Sequence, residues 1–386
     1  MEDFFIFPAL LLGRLFSRLK PLDKEYRVYF FFPFHHIGGA EKVHYQVTQV
    51  AGGKDCIVFF TKKSESKSFL KYFRDSGCSI RDISKYTDTK WLYFLNFFWR
   101  GIVTGYINRQ KLRPVVFNGQ CNFGYKISPW IKKEIHQIEL IHSFNSFSYI
   151  RTPFLPFISE TVMISKKRIE DHIKFYDRIN VPIKYIEKIR YIPNAIILPD
   201  VSVARKQAGF TVLYVGRGGK EKRVHLIAAI AKIVVALEKS IKFEILGDVS
   251  GRIKEADHPY IKFHGNLDDD KMIRKIYLSA TVLLLTSETE GFPMVVIEAM
   301  ASGCVIMGTA VGDLPMHIKE GINGYLFTNV ADEEKIIREG TEKILALKND
   351  PQLVQSISMH NISYAKHNFA IEKFNASYRQ LLELAK

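Results

Sequence analysis

The chain has 386 residues, of which 47% are hydrophobic and 25% charged, a composition that excludes a disordered protein and a length that fits two domains. No apolar run approaches the roughly 18 residues of a membrane-spanning helix, and the N-terminus lacks the lysines of a secretion signal, so we expect neither. The net charge is +15, and residues 1–190 alone contribute 31 Lys and Arg against 17 Asp and Glu, so we expect one half of the protein to face an anionic partner.

The first predicted element is an amphipathic helix from about residue 9 to residue 20. Its apolar residues recur at helical spacing, and Arg14, Arg18 and Lys20 lie among them. This pattern is typical of a helix that lies in a membrane interface. It fits equally well a helix that packs on its own domain, and the sequence favours neither interpretation.

A predicted buried strand at residues 27–32 leads into a glycine-rich loop. Gly38 and Gly39 precede a helix that we expect from Ala40 onward. Such a strand-to-helix turn lets a ligand approach the backbone closely. A pair of glycines is, by itself, weak support for a site.

The segment from residue 54 to 140 alternates short apolar strands with charged helical stretches, and residues 91–100 are unusually aromatic. Basic side chains lie among the aromatic residues, as they do in nucleic-acid-binding proteins. Because the chain has α/β units and no motif of a nucleic-acid-binding module, we predict no nucleic-acid partner. An anionic membrane surface is the favoured partner of this domain.

The predicted domain boundary follows residue 192. Pro199 and Asp200 are chain-breaking signals just beyond it. The charge balance changes at the same place, since residues 191–386 hold 24 Lys and Arg against 23 Asp and Glu. The domains are therefore predicted to cover residues 1–192 and 193–386.

The second domain is predicted to begin with an anion site. A strongly apolar strand at residues 210–215 is followed by Gly216, Arg217 and Lys222 and then by an apolar helix. A strand, a basic loop with glycine and a helix bind anions on physical grounds alone. The three acidic residues at 268–270 precede a helical pattern, so they are interpreted as an N-cap and first-turn charges rather than a metal site.

The most informative stretch begins at Thr281 and runs to Phe327. It predicts a buried strand at residues 282–285, a helix at 294–302 with Pro293 as its first residue, and a strand at 304–307. Gly303 is expected to end the helix in the left-handed conformation. The unpaired N–H groups and positive dipole of this helix start are suited to phosphate.

Two carboxylates flank the predicted helix start. Glu290 precedes it, and Glu298 lies inside a helix that is otherwise apolar. Two carboxylates beside a phosphate site are able to hold the hydroxyl groups of a nucleotide-sugar.

The segment EGFPMVVIEAMASG, in which Glu290 and Glu298 are separated by seven residues, resembles the E-x7-E motif of retaining GT-B glycosyltransferases of family 4, also called group 1. Other segments resemble motifs of the same family: GGAE at residue 38, IPNA at 192, VGRGGKEKR at 215, VGDLP at 311 and EGINGYL at 320. The resemblance covers most of the chain, and its most specific motifs lie in residues 191–327.

The resemblance implies a GT-B fold, with two Rossmann-like parallel-sheet domains facing across a cleft and a last helix, at about residues 370–386, that returns to the first domain. It implies that Glu290 holds sugar hydroxyls, that Glu298 holds ribose hydroxyls, and that Arg217, Lys222 and the helix start stabilise the leaving diphosphate. His142, at the end of a strand at residues 138–141, is expected beside the donor sugar and phosphate. Further donor-contacting residues are expected at Gly38, Gly39, Gly216, Asn266, Gly291, Phe292, Met294 and Val295.

The implied activity is transfer of a hexose, with retention, from a UDP- or GDP-linked sugar to a lipid-linked or polysaccharide acceptor in bacterial cell-envelope glycan synthesis. No metal and no other cofactor is expected, and the implied location is the cytoplasmic face of the cell membrane, as a peripheral protein. Asp313 and Met316 depart from the family pattern, so the donor sugar stays open. The alternatives are a nucleotide-sugar epimerase on the same fold and a non-catalytic basic binding protein.

Overall fold

The structure is a computed structural model, and it describes residues 2–200 and 209–383. The chain divides into two compact units, residues 1–193 with 375–386 and residues 194–374. Each unit is an α/β domain built on one parallel sheet. The predicted pair of parallel-sheet domains is therefore confirmed.

The first unit has a seven-stranded sheet in the order β3-β2-β1-β4-β5-β6-β7, with every described pair parallel. The central strand, VYFFF, is buried along its whole length, as expected of a parallel strand with both faces covered. The strands are β1 (Val28–Phe32), β2 (Cys56–Phe60), β3 (Ser79–Asp82), β4 (Val115–Asn118), β5 (His136–Ile141), β6 (Glu160–Met163) and β7 (Ile189–Tyr191). The α-helices are α1 (Glu2–Leu19), α2 (Gly39–Ala51), α3 (Leu70–Asp75), α4 (Ser84–Thr87), α5 (Tyr93–Asn108), α6 (Asn122–Ile127), α7 (Ser146–Ile150) and α8 (Lys166–Arg178).

The second unit has a six-stranded parallel sheet in the order β10-β9-β8-β11-β12-β13. Its strands are β8 (Phe210–Val215), β9 (Ile241–Leu246), β10 (Ile261–Phe263), β11 (Val282–Leu285), β12 (Val305–Thr309) and β13 (Gly324–Phe327). Its α-helices are α9 (Val224–Leu237), α10 (Asp270–Ser279), α11 (Met294–Ala301), α12 (Leu314–His317), α13 (Glu333–Asn349), α14 (Pro351–Phe369) and the start of α15 (Ile371–Leu381). From residue 375 onward, α15 belongs to the first unit.

Several predicted boundaries shift in the structure. Pro293 is extended, with φ −73° and ψ 138°, and is the N-cap of α11 rather than its first residue. Gly303 has φ +78° and ends the helix in the left-handed conformation, as predicted. The first helix begins at Glu2, well before residue 9, and includes Pro8. The last helix ends at Leu381, and residues 384–386 of its predicted span lie outside the described residues.

The acidic run at residues 268–270 caps a helix. The Asp269 carboxylate accepts hydrogen bonds from the backbone N–H groups of Lys271 and Met272, at 2.9 Å and 3.4 Å. Asp270 is the first residue of α10. The helix-cap interpretation of these residues is confirmed.

A buried ion pair lies in the first unit. The Arg151 guanidinium donates to the carboxylate of Glu139 on β5 and to the Tyr176 hydroxyl. The same carboxylate accepts from the hydroxyls of Tyr125, at 2.8 Å, and Thr161, at 2.6 Å. Both charged side chains are almost inaccessible to solvent, and these hydrogen bonds offset the cost of burying them.

Candidate functional site

The candidate site of the second unit lies at the carboxyl ends of β8 and β11, which are neighbours at the centre of the sheet. From β8 the chain proceeds outward to β9 and β10 on one side, and β11 opens the other side. Open α/β sheets bind ligands at this kind of reversal in strand order. The loops that follow β8 and β11 therefore form the expected binding crevice.

Two predicted site residues meet between these loops. Lys222 belongs to the 3-10 turn Lys220–Lys222 after β8, and Glu290 precedes α11. The Lys222 Nζ lies 2.6 Å from the Glu290 Oε1, and the Ser287 hydroxyl donates to the same oxygen at 2.7 Å. The side chains are 25% and 10% exposed, so this ion pair is only partly buried.

The N-terminal end of α11 is adjacent to this pair in the chain. Pro293 has no polar side chain with which to cap the helix, and Met294 and Val295 form its first turn. Their backbone N–H groups and the dipole provide a positive end. The helix start and Gly291 are therefore close in the chain to Glu290, which contacts Lys222.

Arg223, beside Lys222, has a structural role. Its backbone is left-handed, with φ and ψ both 47°, and its side chain is 4% exposed. The guanidinium donates to the carbonyl oxygens of Thr286 and Val330, each at 2.7 Å. The Thr286 hydroxyl in turn donates to the carbonyls of Lys222 and Arg223, each at 3.0 Å. These bonds hold the two site loops together.

Glu298 lies in α11, facing α10. The buried Tyr277 hydroxyl donates to the Glu298 Oε2 at 2.7 Å. Burial, together with the nearby Glu298 charge, raises the pKa of Tyr277 well above its usual value. Tyr277 is thus a neutral donor that orients the carboxylate. The sequence pattern of α10 predicts only an amphipathic helix and does not identify this role.

Gly312 is required by the loop that carries Glu290. Its φ is +59°, and a Cβ atom there would lie 2.1 Å from the Gly291 carbonyl oxygen. The backbone N–H of Asp313 donates to that same oxygen at 2.9 Å. Asp313, which departs from the family pattern, is fully buried beside this loop, whereas Met316 is 47% exposed.

The other predicted site residues of the second unit differ in how their side chains are placed. Arg217 follows Gly216, and its side chain is exposed. The backbone carbonyl of Arg217 accepts a hydrogen bond from the Tyr214 hydroxyl at 3.0 Å. The Asn266 Oδ1 accepts from the backbone N–H of Asp248 at 3.0 Å, which ties together the loops after β9 and β10. Phe292 is 2% exposed, and its ring packs 4.2 Å from the His317 ring, so only its backbone is placed to contact a donor.

His142 belongs to the first unit and follows β5. Its Nε2 lies 2.9 Å from the Nε2 of His44 on α2, so one ring donates and the other accepts. Burial lowers the pKa of His142 to about 4, and burial with the neighbouring His142 lowers that of His44 well below its usual value. Both rings are therefore neutral near pH 7. His44, which also stacks on Phe32 at 4.3 Å, was not predicted as a site residue.

The glycine loop of the first unit lies between β1 and α2. Gly38 is extended and is the N-cap of α2, which begins at Gly39. A Cβ atom on Gly38 would lie 2.1 Å from a carboxylate oxygen of Glu41. The loop thus sits directly against the first turn of α2.

Within residues 2–200 and 209–383, no three or more His, Cys, Asp or Glu side chains are grouped as a metal ion requires. This finding concerns side chains only, and metal independence stays a prediction.

Comparison with known proteins gives one family match. Residues 209–347, which contain β8 to β13 and α9 to α12, match the family described as glycosyl transferases group 1. The match includes every predicted site residue of the second unit.

Three curated proteins illustrate the similarity. The UDP-N-acetylglucosamine–peptide N-acetylglucosaminyltransferase GtfA subunit of Streptococcus gordonii is 29% identical, over 45% of this chain and 35% of that protein. The N-acetyl-alpha-D-glucosaminyl L-malate synthase of Bacillus anthracis is 26% identical, over 47% and 49%. The lipopolysaccharide 1,2-N-acetylglucosaminetransferase of Salmonella typhimurium is 25% identical, over 37% and 41%. The chain spans half the length of these relatives or less.

Solved structures match over most of the chain. Anabaena Alr3699/HepE, solved with UDP and glucose, has a TM-score of 0.72 at 16% identity and covers 93% of this chain and 100% of that one. The pneumococcal O-GlcNAc transferase GtfA, solved with UDP and GlcNAc, has a TM-score of 0.59 at 20% identity, over 74% and 60%. At these identities the likeness shows the fold, which is GT-B as predicted.

Proposed function

We propose that this chain is a retaining glycosyltransferase that takes a hexose from a nucleotide-sugar. The observation that carries the proposal is the Lys222–Glu290 ion pair beside the start of α11, inside the segment that matches the group 1 family. A cation, a helix start and two carboxylates match the chemical parts of such a donor: its diphosphate and its hydroxyl groups.

The donor's diphosphate is proposed to lie against the first N–H groups of α11, within reach of Arg217 and Lys222. The Lys222 ammonium has three N–H donors, so it can keep Glu290 and still donate to a phosphate oxygen. Charge that develops on the leaving diphosphate is then stabilised by groups already in place. Since these groups supply the positive charge, the proposal includes no metal and no other cofactor.

Glu290 is proposed to accept hydrogen bonds from the sugar hydroxyls, and Glu298 from the ribose. Each carboxylate has a fixed hydrogen-bond partner, Ser287 for Glu290 and Tyr277 for Glu298, and this supports a binding role because it holds the carboxylate in place. Gly216, Gly291 and Asn266 are proposed to contact the donor through the backbone. In the first unit, Gly38, Gly39 and the neutral His142 are proposed to contact the donor sugar and phosphate, with His142 as a hydrogen-bond donor.

Retention is proposed to arise without a covalent protein intermediate. In this scheme, a leaving phosphate oxygen accepts the proton of the acceptor hydroxyl while that hydroxyl attacks from the same face. The new glycosidic bond replaces the bond to the phosphate.

The donor is proposed to be UDP-linked, and the acceptor a lipid-linked or polysaccharide glycan of the bacterial cell envelope. The name of the Salmonella relative contains lipopolysaccharide, and the solved relatives contain UDP. The proposed location is the cytoplasmic face of the membrane, as a peripheral protein. The basic first half of the chain supports this location.

The test is a thermal-shift panel of UDP, GDP, ADP and CMP with their sugars. A ligand at 100 times its dissociation constant stabilises the folded state by about 2.7 kcal/mol. We expect UDP-sugars to raise the melting temperature of the wild type and of Glu288→Ala, an exposed carboxylate nearby. We expect Glu298→Ala to lose the effect. No shift with any nucleotide would contradict the donor site.

A second arm separates transfer from the alternative epimerase activity. The NMR spectrum of the donor is followed with no acceptor present. An unchanged sugar configuration supports a transferase, whereas conversion to the epimer would overturn the proposal.

A further inference from the structure

The first helix packs on α5 through a narrow face of small residues. A Cβ atom on Gly13 would lie 2.1 Å from the Phe98 carbonyl oxygen, and one on Gly101 would lie 2.0 Å from that of Leu10. A Cβ atom on Gly105 would lie 2.1 Å from the Ser17 hydroxyl. The two backbones are therefore in direct contact, which only small side chains allow.

Polar bonds hold the helix in this position. The Arg14 guanidinium donates to the Trp130 carbonyl at 2.8 Å, and the Tyr106 hydroxyl donates to the Lys20 carbonyl at 2.9 Å. Arg109 donates to the Ser17 carbonyl. Thus α1 is a fixed part of the first unit, and one of the two predicted interpretations, packing on its own domain, holds.

The remaining surface of α1 is apolar and exposed. Its outward residues are from 49% to 74% exposed and recur about every four positions, so they form one stripe about 18 Å long. They are Phe7, Leu11, Leu12, Leu15 and Leu19. Single exposed apolar residues are ordinary, but a continuous stripe marks an interaction surface.

Three further exposed apolar residues lie in or next to α5, the helix on which α1 packs. Trp91, just before α5, is 91% exposed, and Phe94 within α5 is 63% exposed. Leu112, just beyond α5, is 77% exposed. Trp is favoured where an apolar region meets a polar boundary, as at the headgroup level of a bilayer.

The charges around this surface are mostly positive. Residues 2–22 and 89–133, which contain α1 and α5, hold eleven Lys and Arg against two acidic residues, Glu2 and Asp3, at the start of α1. Those with exposed side chains include Arg18, Lys20, Lys90, Lys111, Arg113, Lys132 and Lys133. A second copy of the same surface would bring like charges together, which disfavours self-association.

We propose that the exposed faces of α1 and α5, together the α1–α5 platform, dock on the surface of an anionic phospholipid bilayer. The helix would lie in the membrane plane, with its leucines among the upper acyl chains and its basic residues at lipid phosphates. None of the described helices is long and apolar enough to span a membrane. The platform gives the proposed peripheral location a specific site, and it is independent of the donor site.

Vesicle flotation of the full chain, without donor or acceptor, tests the platform. We expect the wild type to float with vesicles of phosphatidylcholine and phosphatidylglycerol, and far less with phosphatidylcholine alone. The variant L11Q/L15Q removes apolar contacts, and R18Q/K20Q removes charge; each should weaken binding by about tenfold or more. The control L237Q/M272Q changes exposed apolar residues of the second unit and should bind like the wild type.

The fluorescence of Trp91 gives a second readout. Its emission should shift to the blue on anionic vesicles and be quenched by brominated lipid, and Trp91→Phe should remove most of this signal. Equal binding to neutral and anionic vesicles, or undiminished binding by L11Q/L15Q, would overturn the proposal. So would a wild-type dimer in solution that L11Q/L15Q disrupts. Unchanged donor shifts in these variants keep this test separate from that of the proposed function.

Discussion

Lys222 has the most direct electrostatic link to the proposed chemistry. Its ammonium pairs with Glu290, which precedes α11, so Lys222→Ala removes positive charge from the place where the leaving diphosphate is proposed to develop its charge. We expect the transfer rate to fall by about 10²–10³-fold, in line with the loss of one transition-state donor, while the melting temperature changes little. Lys220→Ala, two residues away and exposed, is the control. A fully active Lys222→Ala enzyme would remove this residue from the diphosphate site.

Tyr277 is expected to act through Glu298. The variant Tyr277→Phe keeps the buried ring and removes the 2.7 Å hydrogen bond that orients the carboxylate. We expect the affinity for nucleotide, measured by calorimetry, to fall about tenfold, which corresponds to about 1.4 kcal/mol. Tyr260→Phe removes a hydroxyl contact with His258 instead and should leave affinity unchanged. Equal affinities of both variants would show that Tyr277 has no positioning role.

The sequence identifies Lys222 and Glu290 as site residues because each belongs to a motif with local spacing, and the structure brings them into contact. It does not identify Ser287, Tyr277 or His44. Their roles depend on contacts across 3, 21 and 98 positions, and only the last two need the tertiary fold. Ser287 can be predicted from the sequence, since a polar residue just beyond the carboxyl end of a buried strand often contributes to a site.

The contact between α1 and α5 makes its own prediction. Alanine is favoured over glycine in a helix by about 1 kcal/mol, so Gly101→Ala would stabilise an isolated α5. In this structure the added Cβ atom meets the Leu10 carbonyl, so we expect a net loss of about 1–3 kcal/mol and faster hydrogen exchange along α1. The control Gly251→Ala adds a Cβ atom with no neighbour within 4 Å. Unchanged exchange in Gly101→Ala would mean that the helices are not packed in this way.

Element boundaries were predicted best where one local signal dominates. The strand at residues 210–215 agrees with β8, because an apolar run is bounded by glycines. The sequence pattern predicts the first helix from about residue 9, whereas in the structure the helix begins at Glu2 and includes Pro8. The close approach of α1 and α5 does have a signal in the sequence, because Gly13 and Ser17, like Gly101 and Gly105, are small residues spaced by four positions.

Of the two units, the first should lose stability in mild acid. His172 is fully buried, its Nδ1 donates to the Arg168 carbonyl, and burial together with the positive Arg151 lowers its pKa to about 4. The unfolded chain binds a proton below about pH 6.5, so the free energy of unfolding falls as the pH drops from there toward 4. At about pH 5 the loss from this residue is about 2 kcal/mol.

Urea unfolding at about pH 7.5 and pH 5 measures this effect. The tryptophans at positions 91, 99 and 130 all belong to the first unit, so their fluorescence reports on it alone. We expect His172→Gln to reduce the pH dependence and the exposed His360→Gln to leave it intact. An equal pH dependence in both variants would contradict the role of burial.

The sequence predicts two parallel-sheet domains because apolar strands alternate with helical patterns along the whole chain. It does not predict the strand orders, since the pairing of β1 with β4 and of β8 with β11 skips strands that lie between them in the chain. The sequence does not identify the acceptor for a different reason: no motif in the first unit is specific for one kind of acceptor.

The buried pair of Glu139 and Arg151 restricts how this protein can change through evolution. Loss of one partner leaves an uncompensated charge and costs about 3–5 kcal/mol, whereas apolar replacement of both can be neutral. A domain has only about 5–15 kcal/mol of stability to lose. Single replacements should therefore be rare among descendants, and an alignment of close homologues should show both charges retained or both gone together.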